Sequence, residues 1–388
     1  MAPITLLQIV PKLNAGGAER TTLEIARANI ERGGRSLVAA HGGSMLQQLQ
    51  EIGATLFDLP VHSKNPATVY ANIDRLAALA RNENVELIHA RSRAPAWSAR
   101  AAARRLGLPY VATHHGAYRA ESFLKRGYSH AITSADRVIA NSKFTARAMV
   151  NGGVETSRIR IIPRGVDVEK FNPAQVAHAR VQSLEAAWGL KENQQSVEFR
   201  CLLPARLTSW KGHKVAIDAA AKLKFEAAYG QAPKMALVFC GGAQDKQQYT
   251  QGLREYVVER GVADMVRIVG ECADMAAAYQ WSDIVLTPST KPEPFGRVAI
   301  EAGAMEKPVI ASDHGGACET VINGQTGFLV APDSASALAD NIFQLSRQSD
   351  SERADIGRRA RARIIEQFSQ DSMCAATMSV YDELIGSR

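Results

Sequence analysis

The feature that most constrains the fold is a regular alternation of short apolar runs with helical patterns, which occurs in two separate series along the 388 residues. In the first half, the runs rich in β-branched residues are ITLLQIV, SLVAAH, ELIHA, PYVATHH, RVIANS and RIIP. The segments between them, such as PATVYANIDRLAALARN, repeat apolar residues at a spacing near 3.6. This alternation predicts an α/β fold in which a parallel sheet carries helices on both faces.

A second series begins after a stretch in which the pattern loosens, from Val168 to about Val197. Its apolar runs are EFRCLLPARL, MALVFCGG, MVRIVG, DIVLTPS, KPVIAS and TGFLV. We therefore predict two Rossmann-like domains, over residues 1–172 and 198–369, with a linker over 173–197. Ligands of such sheets bind outside the carboxyl ends of the strands, so the loops that follow the strands are where site residues are expected.

Composition is that of an ordinary soluble globular protein, with 46% hydrophobic and 22% charged residues. No apolar run approaches the roughly 20 residues of a membrane span, and no basic region precedes the first apolar run as in a signal peptide. The cysteines are scattered singly, so neither a disulfide framework nor a zinc site is expected, and a cytoplasmic location fits best. The five are Cys201, Cys240, Cys272, Cys318 and Cys374.

The basic excess lies entirely in the first half. Residues 1–172 hold 23 Lys and Arg against 13 Asp and Glu, and residues 173–388 hold 23 against 26, which gives the net charge of +7. This asymmetry fits either an ordinary solvated face or a surface that meets a phosphorylated acceptor or an acidic membrane. Few aromatic residues accompany the basic ones, so nucleic acid is not an expected partner. The clustered residues are Arg91, Arg93, Arg100, Arg104, Arg105, Arg119, Lys125, Arg126 and Arg137.

Two loops of the first half carry candidate ligand contacts. Gly16 and Gly17 follow the first strand and open a helix, where backbone N–H groups suit an anion. The motif is not GxGxxG, which disfavours a dinucleotide site and an NAD-dependent dehydrogenase. His114 and His115 end the strand PYVATHH, and strand alternation sends their rings to opposite faces, so at most one should reach a ligand.

The second half supplies two cations and two acids in loops that follow strands. Arg206 and Lys211 lie five positions apart after the first strand of the second series, as in a diphosphate site. Glu293 and Glu301 are separated by a predicted helix start near Phe295, about 10 Å apart along the helix axis. That distance is too long for two acids that share one proton, and it suits two parts of one extended ligand.

Taken together, these motifs resemble those of the retaining glycosyltransferases of the GT4 family. The resemblance covers nearly the whole chain, in the order GGAE, THHG, IPRGVD, RLTSWKG, EPFGRVAIE, PVIAS and NGQTGFLV. The seven-residue spacing between two glutamates within EPFGRVAIEA is its most specific part. It implies a GT-B architecture, with two facing Rossmann-like domains, parallel sheets, an interdomain cleft, and a C-terminal helix over about 370–388 that returns to the first domain. One departure is Arg164 in IPRGVD, where the family commonly has asparagine.

The resemblance also implies roles for single positions. Four side chains take the catalytic roles: Arg206 and Lys211 bind the donor diphosphate, Glu293 lies beside the transferred sugar, and His115, rather than its neighbour His114, lies near the sugar. The other implied donor contacts, from the glycine loop, the base-contacting loop, the backbone after Glu293 and the ribose-binding acid, are Gly16, Gly17, Val269, Gly270, Glu271, Phe295, Gly296, Arg297 and Glu301. The acceptor, or an anionic membrane surface, is expected to meet Arg91, Arg93, Arg119, Lys125 and Arg126.

The implied reaction is transfer of a sugar from a nucleotide donor to an acceptor hydroxyl with retained anomeric configuration. No DxD motif is present and two cations face the diphosphate, so no cofactor and no metal are expected. A UDP-sugar is favoured as donor, with GDP-mannose next. The expected acceptor is lipopolysaccharide core or another lipid-linked glycan, with peripheral contact at the inner face of the cytoplasmic membrane. The alternatives are a soluble GT-B enzyme that acts on a glucan or small molecule, and a non-enzymatic two-domain sugar-binding protein.

Overall fold

The computed structural model describes residues 3–14, 16–116, 130–190, 197–228, 233–243 and 247–386. The chain divides into two compact units. The first contains Met1–Gly165 together with Gln370–Arg388, and the second is Val166–Ser369. The two units are described separately below.

The first unit is built on a seven-stranded parallel sheet in the order β3-β2-β1-β4-β5-β6-β7. Its strands are β1 Thr5–Ile9, β2 Arg35–Ala40, β3 Thr55–Asp58, β4 Leu87–Ala90, β5 Tyr110–His114, β6 Arg137–Ala140 and β7 Ile159–Ile161. The helices between them are α1 Gly17–Glu31, α2 Leu46–Glu51, α3 Pro66–Asn82, α4 Arg93–Leu106 and α5 Lys143–Asn151. The strand order reverses between β1 and β4, so the loops after these two strands lie at the switch point where ligands of open sheets bind.

Local sequence explains where these helices begin and end. The Asn65 side chain caps α3 by accepting hydrogen bonds from the N–H groups of Ala67 and Thr68, and Pro66 occupies the first helical position. Helix α4 ends at Gly107, whose φ of 63° is the left-handed conformation that terminates many helices. The alanines of α4 pack on the sheet with Leu7, Ile9 and their neighbours in a core that excludes water.

The second unit has a six-stranded parallel sheet in the order β10-β9-β8-β11-β12-β13. Its strands are β8 Phe199–Pro204, β9 Met235–Cys240, β10 Val266–Gly270, β11 Ile284–Thr287, β12 Val309–Ser312 and β13 Gly327–Val330. The helices are α6 His178–Ala187, α7 His213–Ala228, α8 Gln247–Glu259, α9 Met275–Trp281, α10 Arg297–Ala304, α11 Ala317–Thr320, α12 Ala335–Arg347 and α13 Asp350–Gln367. Here the switch point lies between β8 and β11, the strands that precede the predicted cations and acids.

The last helix, α14 Gln370–Gly386, belongs to the first unit although it follows the second along the chain. Its buried side chains Met373, Met378 and Tyr381 pack with Leu6 and Val111 of the first sheet. The Tyr381 hydroxyl also hydrogen-bonds Nδ1 of His89 at 2.5 Å inside this core. The packing is therefore both apolar and specific.

The prediction of two Rossmann-like α/β domains is confirmed, and three details differ. Strand β3 was not predicted, because it is a four-residue edge strand without buried side chains. The chain leaves the first unit at Gly165 rather than after residue 172. The segment predicted as a linker, 173–197, lies in the second unit and contains α6, beside which Trp188 packs edge-to-face on Trp281 with ring centroids 5.4 Å apart.

Among the residues that the structure describes, no helix has the length and apolar character needed to cross a bilayer.

Candidate active site

The loops after β8 and β11 bring one predicted cation and one predicted acid into direct contact. Lys211 Nζ lies 2.8 Å from Glu293 Oε2, and their side chains are 12% and 18% exposed. Ser289 donates a hydrogen bond of 2.5 Å to the other carboxylate oxygen of Glu293. The Lys211 ammonium also lies 4.4 Å from the ring centroid of Trp210. An ammonium has three N–H donors, so Lys211 can hold Glu293 and still donate to a ligand.

The backbone makes this contact rigid. Gly212 has φ of 77°, and a Cβ there would lie 1.8 Å from the carbonyl oxygen of Pro288, so only glycine fits. Thr290 donates its N–H to the carbonyl of Trp210 at 2.8 Å. These two contacts join the loop that carries Lys211 to the loop that carries Glu293, and they hold the two side chains in register.

The helix predicted to start near Phe295 begins two residues later, at Arg297. Gly296 has φ of 90°, which is outside the helical region, and Phe295 is a buried side chain that packs near Phe368. The N–H groups left without helical partners therefore begin at Gly296 and run into the first turn of α10, one position later than expected. They lie beside a small pocket that Glu293 and Gly296 also line.

Glu301 lies on α10 and is held from two sides. Tyr279 donates its hydroxyl to Oε2 at 3.0 Å, and Arg297 Nε lies 3.4 Å from Oε1. Burial and the neighbouring Glu301 carboxylate raise the pKa of Tyr279, so its hydroxyl keeps the proton that it donates. The remaining small residues of α10 serve packing, since a Cβ on Gly303 would lie 2.9 Å from Ile364 of α13.

The other predicted donor contacts of the second unit lie at the carboxyl ends of β8 and β10. Arg206 is exposed in the loop after β8. Gly241 donates its N–H to the carbonyl of Gly270 at 2.7 Å, and a Cβ on Gly241 would lie 2.0 Å from the carbonyl oxygen of Ala205. This close approach fixes the loop of Arg206 against residues 269–271, where Glu271 is exposed.

The sequence prediction missed the side chains that hold the two glutamates. Tyr279 is distant in sequence from Glu301, so no local pattern marks it, whereas Ser289 is close in sequence to Glu293 and was overlooked. The HGG after β12, residues 314–316, is a local pattern that could have indicated a contact with the loop of Glu293, because glycine doublets often mark close backbone contacts. His314 Nε2 donates to the carbonyl of Ser289 at 2.7 Å, and Gly316 donates its N–H to the carbonyl of Glu293 at 2.8 Å.

In the first unit, Arg164 joins the histidine and the glycine loop. Its guanidinium donates to Nδ1 of His115 at 2.6 Å, to the carbonyl of Gly17 at 2.7 Å, and to the Thr21 hydroxyl. An arginine can only donate, so Nδ1 of His115 is the acceptor and the ring proton lies on Nε2. The family position that commonly holds asparagine therefore sets the tautomer of His115.

Both histidines of the doublet are held neutral. Burial, with the positive charge of Arg164, lowers the pKa of His115 well below its usual range. Burial lowers the pKa of His114 to about 4, and its side chain is buried at the end of β5. His115 comes directly after β5 and is the one in contact with Arg164, so the two rings occupy different surroundings.

The glycine loop itself is less constrained than expected. Gly16 precedes α1 with φ of −169°, an extended conformation that any residue adopts. A Cβ on Gly16 would lie 2.3 Å from a carboxylate oxygen of Glu19, the far end of a flexible side chain. The need for glycine at this position therefore does not come from the backbone of the first unit.

The predicted acceptor surface is corrected at Arg91. Its side chain is 1% exposed, and its Nε and Nη2 donate to the Gln8 carboxamide oxygen at 2.8 and 2.5 Å. Arg91 follows β4 at the switch point and points into the core, so it cannot form a surface. Arg93 is exposed at the start of α4. The other three predicted acceptor residues, Arg119, Lys125 and Arg126, lie outside the described residues.

Several other basic residues of the first half are engaged in ion pairs. Arg105 pairs with Asp74 at 2.5 Å, and Arg137 with Glu383 at 2.5 Å. The excess positive charge of the sequence is thus not a uniform basic face. Within the described ranges, no group of three or more His, Cys, Asp and Glu side chains forms a candidate metal site.

Two family models match the chain, one in each half. The model for Glycosyltransferase Family 4 matches residues 15–170, and the model for glycosyl transferases group 1 matches residues 190–363. A glycosyltransferase from Rickettsia africae has a similar structure, with a TM-score of 0.89, 30% sequence identity and coverage of 99% of both chains. An Anabaena protein crystallised with UDP-glucose is 25% identical and has a TM-score of 0.81. The match covers 97% of this chain and 100% of the Anabaena chain.

Among curated relatives, a D-inositol 3-phosphate glycosyltransferase of Gordonia bronchialis is 30% identical over 264 residues, which are 67% of this chain. The matched stretch is 55% of that relative, so the chain spans about half the length of the curated relatives that it matches. The two models leave residues 171–189 unmatched between them, and together they include most of the site residues described above. The chain belongs to the glycosyltransferases, and its first part matches the model for Family 4.

Proposed function

We propose that this protein is a retaining glycosyltransferase that moves a sugar from a UDP-sugar to a hydroxyl of an anionic acceptor. The observation that carries the proposal is the contact between Lys211 and Glu293 at the switch point of the second sheet, with Arg206 in the same loop. A cation and a carboxylate side by side suit a ligand with a diphosphate next to a polyhydroxylated ring, because phosphate accepts and sugar hydroxyls donate.

In the proposed complex the donor lies along the second unit. Lys211 and Arg206 bind the diphosphate, and Glu293 accepts a hydrogen bond from a hydroxyl of the transferred sugar. Glu301, oriented by Tyr279, accepts from the ribose. Residues 269–271 contact the base. UDP is favoured because the similar Anabaena structure contains UDP-glucose, and GDP-mannose is the next candidate.

In the reaction the acceptor oxygen forms a bond to the anomeric carbon as the bond from that carbon to the diphosphate oxygen breaks. The acceptor proton passes to the departing diphosphate, on the same face of the sugar, which retains the configuration. Lys211 and Arg206 stabilise the negative charge that develops on the leaving group, which is the role that a divalent metal has in other glycosyltransferases. We therefore propose turnover without a metal, and loss of activity on addition of EDTA would contradict it.

The family resemblance assigns His115 of the first unit to the transferred sugar. The ring is neutral with its proton on Nε2, so it serves as a hydrogen-bond donor to the sugar or acceptor rather than as an acid. Its partner Arg164 cannot transfer a proton at ordinary pH. The role of His115 is thus orientation and not proton transfer.

Two acceptor classes are candidates. The basic composition of the first half favours a phosphorylated lipid-linked glycan such as lipopolysaccharide core, with peripheral attachment to an anionic membrane. The curated relatives are D-inositol 3-phosphate glycosyltransferases, which favours a small phosphorylated polyol. Sedimentation with anionic vesicles at low and high salt separates the two classes, since only the first requires salt-sensitive attachment.

A thermal-shift panel of UDP-, GDP- and ADP-sugars tests the donor. The true donor raises the melting temperature by mass action, and Lys211→Ala removes that rise. A rise that persists unchanged in Lys211→Ala would overturn the diphosphate assignment. The configuration of the product, read from the anomeric coupling by NMR, tests retention.

A further inference from the structure

Two cysteines meet at the carboxyl edge of the second sheet. Cys240 is the last residue of β9 and is paired in register with Gly270, and Cys272 follows β10 by two residues. Cys240 also meets the chain beyond Cys272, because its thiol donates a hydrogen bond to the sulfur of Met275 at 3.8 Å. The backbone pairing just before Cys272 and this contact just after it bring the two cysteines together, and each thiol shifts the pKa of the other.

The two thiols differ in reactivity. Cys240 is buried, and the hydrogen bond to Cys272 together with burial raises its pKa. Cys272 is half-buried, and the hydrogen bonds from Cys240 and from the backbone N–H of Asp274 lower its pKa. A thiolate is the form that attacks an oxidant. Cys272 is thus both the more accessible and the more reactive sulfur, with a second thiol in contact to resolve it.

We propose that Cys240 and Cys272 form a reversible disulfide when the protein meets a hydroperoxide. The Cys272 thiolate attacks one peroxide oxygen, the O–O bond breaks, and the other oxygen leaves as hydroxide and takes a proton to become water. Cys240 then attacks the sulfur of the sulfenic acid on Cys272. Its thiol proton and the sulfenic hydroxyl leave as water, so two thiols and one hydroperoxide give one disulfide and two waters when the oxidant is hydrogen peroxide.

The disulfide changes the loop that follows β10. Joining the sulfurs at about 2.05 Å requires the two side chains to move together, and the residues next to the bond are Gly270 and Glu271. The Glu271 carboxylate lies so close to Gly242 that a Cβ on this glycine would be 2.2 Å from it. A movement of the loop that carries Glu271 therefore also affects the backbone at Gly242. In the function proposed above, Gly270 and Glu271 contact the nucleotide base. Oxidation should therefore weaken donor binding, a consequence that rests on that proposed function.

The test uses the full chain, oxidised with hydrogen peroxide and digested under non-reducing conditions. The expected product is a cross-linked pair of peptides that contain Cys240 and Cys272, lighter by two hydrogen atoms and split by a thiol reductant. Cys318→Ser is the matched control, because Cys318 is an exposed cysteine elsewhere in the same unit. It should form the cross-link like the wild type, whereas Cys240→Ser and Cys272→Ser should not.

Donor binding is measured on the same samples by the UDP-induced thermal shift. Oxidation should reduce the shift in the wild type and in Cys318→Ser, and leave it unchanged in Cys240→Ser. Sulfinic acid at Cys272 without a cross-link overturns the proposal, and a cross-link that leaves the UDP shift intact overturns the coupling to donor binding. If UDP gives no shift even in reduced protein, the proposed donor is wrong, while the peptide map still decides on the disulfide.

Discussion

The two sheets share one strand arrangement, but the cations beside the candidate site residues are held in different ways in the two units. In the first unit, Arg91 and Arg164 are buried and donate to a carboxamide, a histidine and a backbone carbonyl. In the second unit, Lys211 and Arg297 are partly exposed and pair with carboxylates. Cations paired with acids near solvent can share their donors with a ligand, whereas buried arginines act by holding other groups. Under the proposed function, this difference assigns ligand contact to the cations of the second unit and positioning to those of the first.

The largest effect is expected at Lys211. Removing one group that stabilises developing charge costs about 100- to 1,000-fold in kcat, so Lys211→Ala should lose activity by that factor. Lys222→Ala is the control, because Lys222 also pairs with a carboxylate, Asp340, at 2.6 Å on the surface of the same unit. The measurement is the steady-state kcat of Lys211→Ala and of Lys222→Ala, each compared with the wild type. Equal losses in the two would remove the distinction between a ligand-binding pair and an ordinary surface pair.

The two loops after the first strands of the units offer a contrast in stability. Gly212→Ala places a Cβ against a backbone carbonyl at positive φ and should lower the free energy of unfolding by about 3 kcal/mol. Gly16→Ala meets only a flexible side chain and should cost less than about 1 kcal/mol. Urea unfolding midpoints compare them. If Gly16→Ala is folded but inactive, ligand approach and not backbone geometry explains that glycine.

Arg164 tests the idea of positioning. Arg164→Asn releases His115 and should lower kcat about tenfold through misorientation, with the donor KM unchanged. Loss of the neighbouring positive charge also raises the pKa of His115, so the acidic limb of the pH–rate profile moves to higher pH. Arg160→Asn, which breaks a pair with Glu383 in the same unit, should leave the profile in place. A purely structural role for Arg164 would leave the pH dependence unmoved.

The smallest effect concerns pH and stability. Burial lowers the pKa of His213 to about 4, so between pH 6.5 and 4 the unfolded chain binds more protons than the folded one. Stability is therefore lost as the pH falls through this window, on the order of 1 kcal/mol between pH 7 and 6 from this residue. His213→Phe, which keeps a ring beside Phe239 and Tyr249, should flatten the pH dependence of the melting temperature. An unchanged slope would contradict the assignment.

Much of the architecture could be predicted from sequence because buried parallel strands are continuous apolar runs with helical patterns between them. The edge strand β3 has no buried side chain and therefore no such signal. The linker was misread for a related reason, since α6 buries Leu184 but is otherwise mostly polar. Its attachment depends on Trp188 and Trp281, residues far apart in sequence.

The site shows the same limit. The positions of Arg206, Lys211, Glu293 and Glu301 at strand ends follow from the chain, but the contact of Lys211 with Glu293 depends on how two loops pack. The start of α10 was misplaced because a glycine with positive φ after Phe295 is a three-dimensional requirement. Arg91 was assigned to the surface on its charge, and only the fold shows that it hydrogen-bonds Gln8 inside the core.

The return of the last helix to the first unit has a consequence for synthesis on the ribosome. Residues 1–165 emerge first, yet one face of their sheet, with Leu6 and Val111, is covered by α14, which begins at Gln370. That apolar face stays uncovered until more than two hundred further residues, including α14, have been synthesised. The second unit is contiguous in sequence and can fold as soon as it emerges. The unit that starts first therefore finishes last.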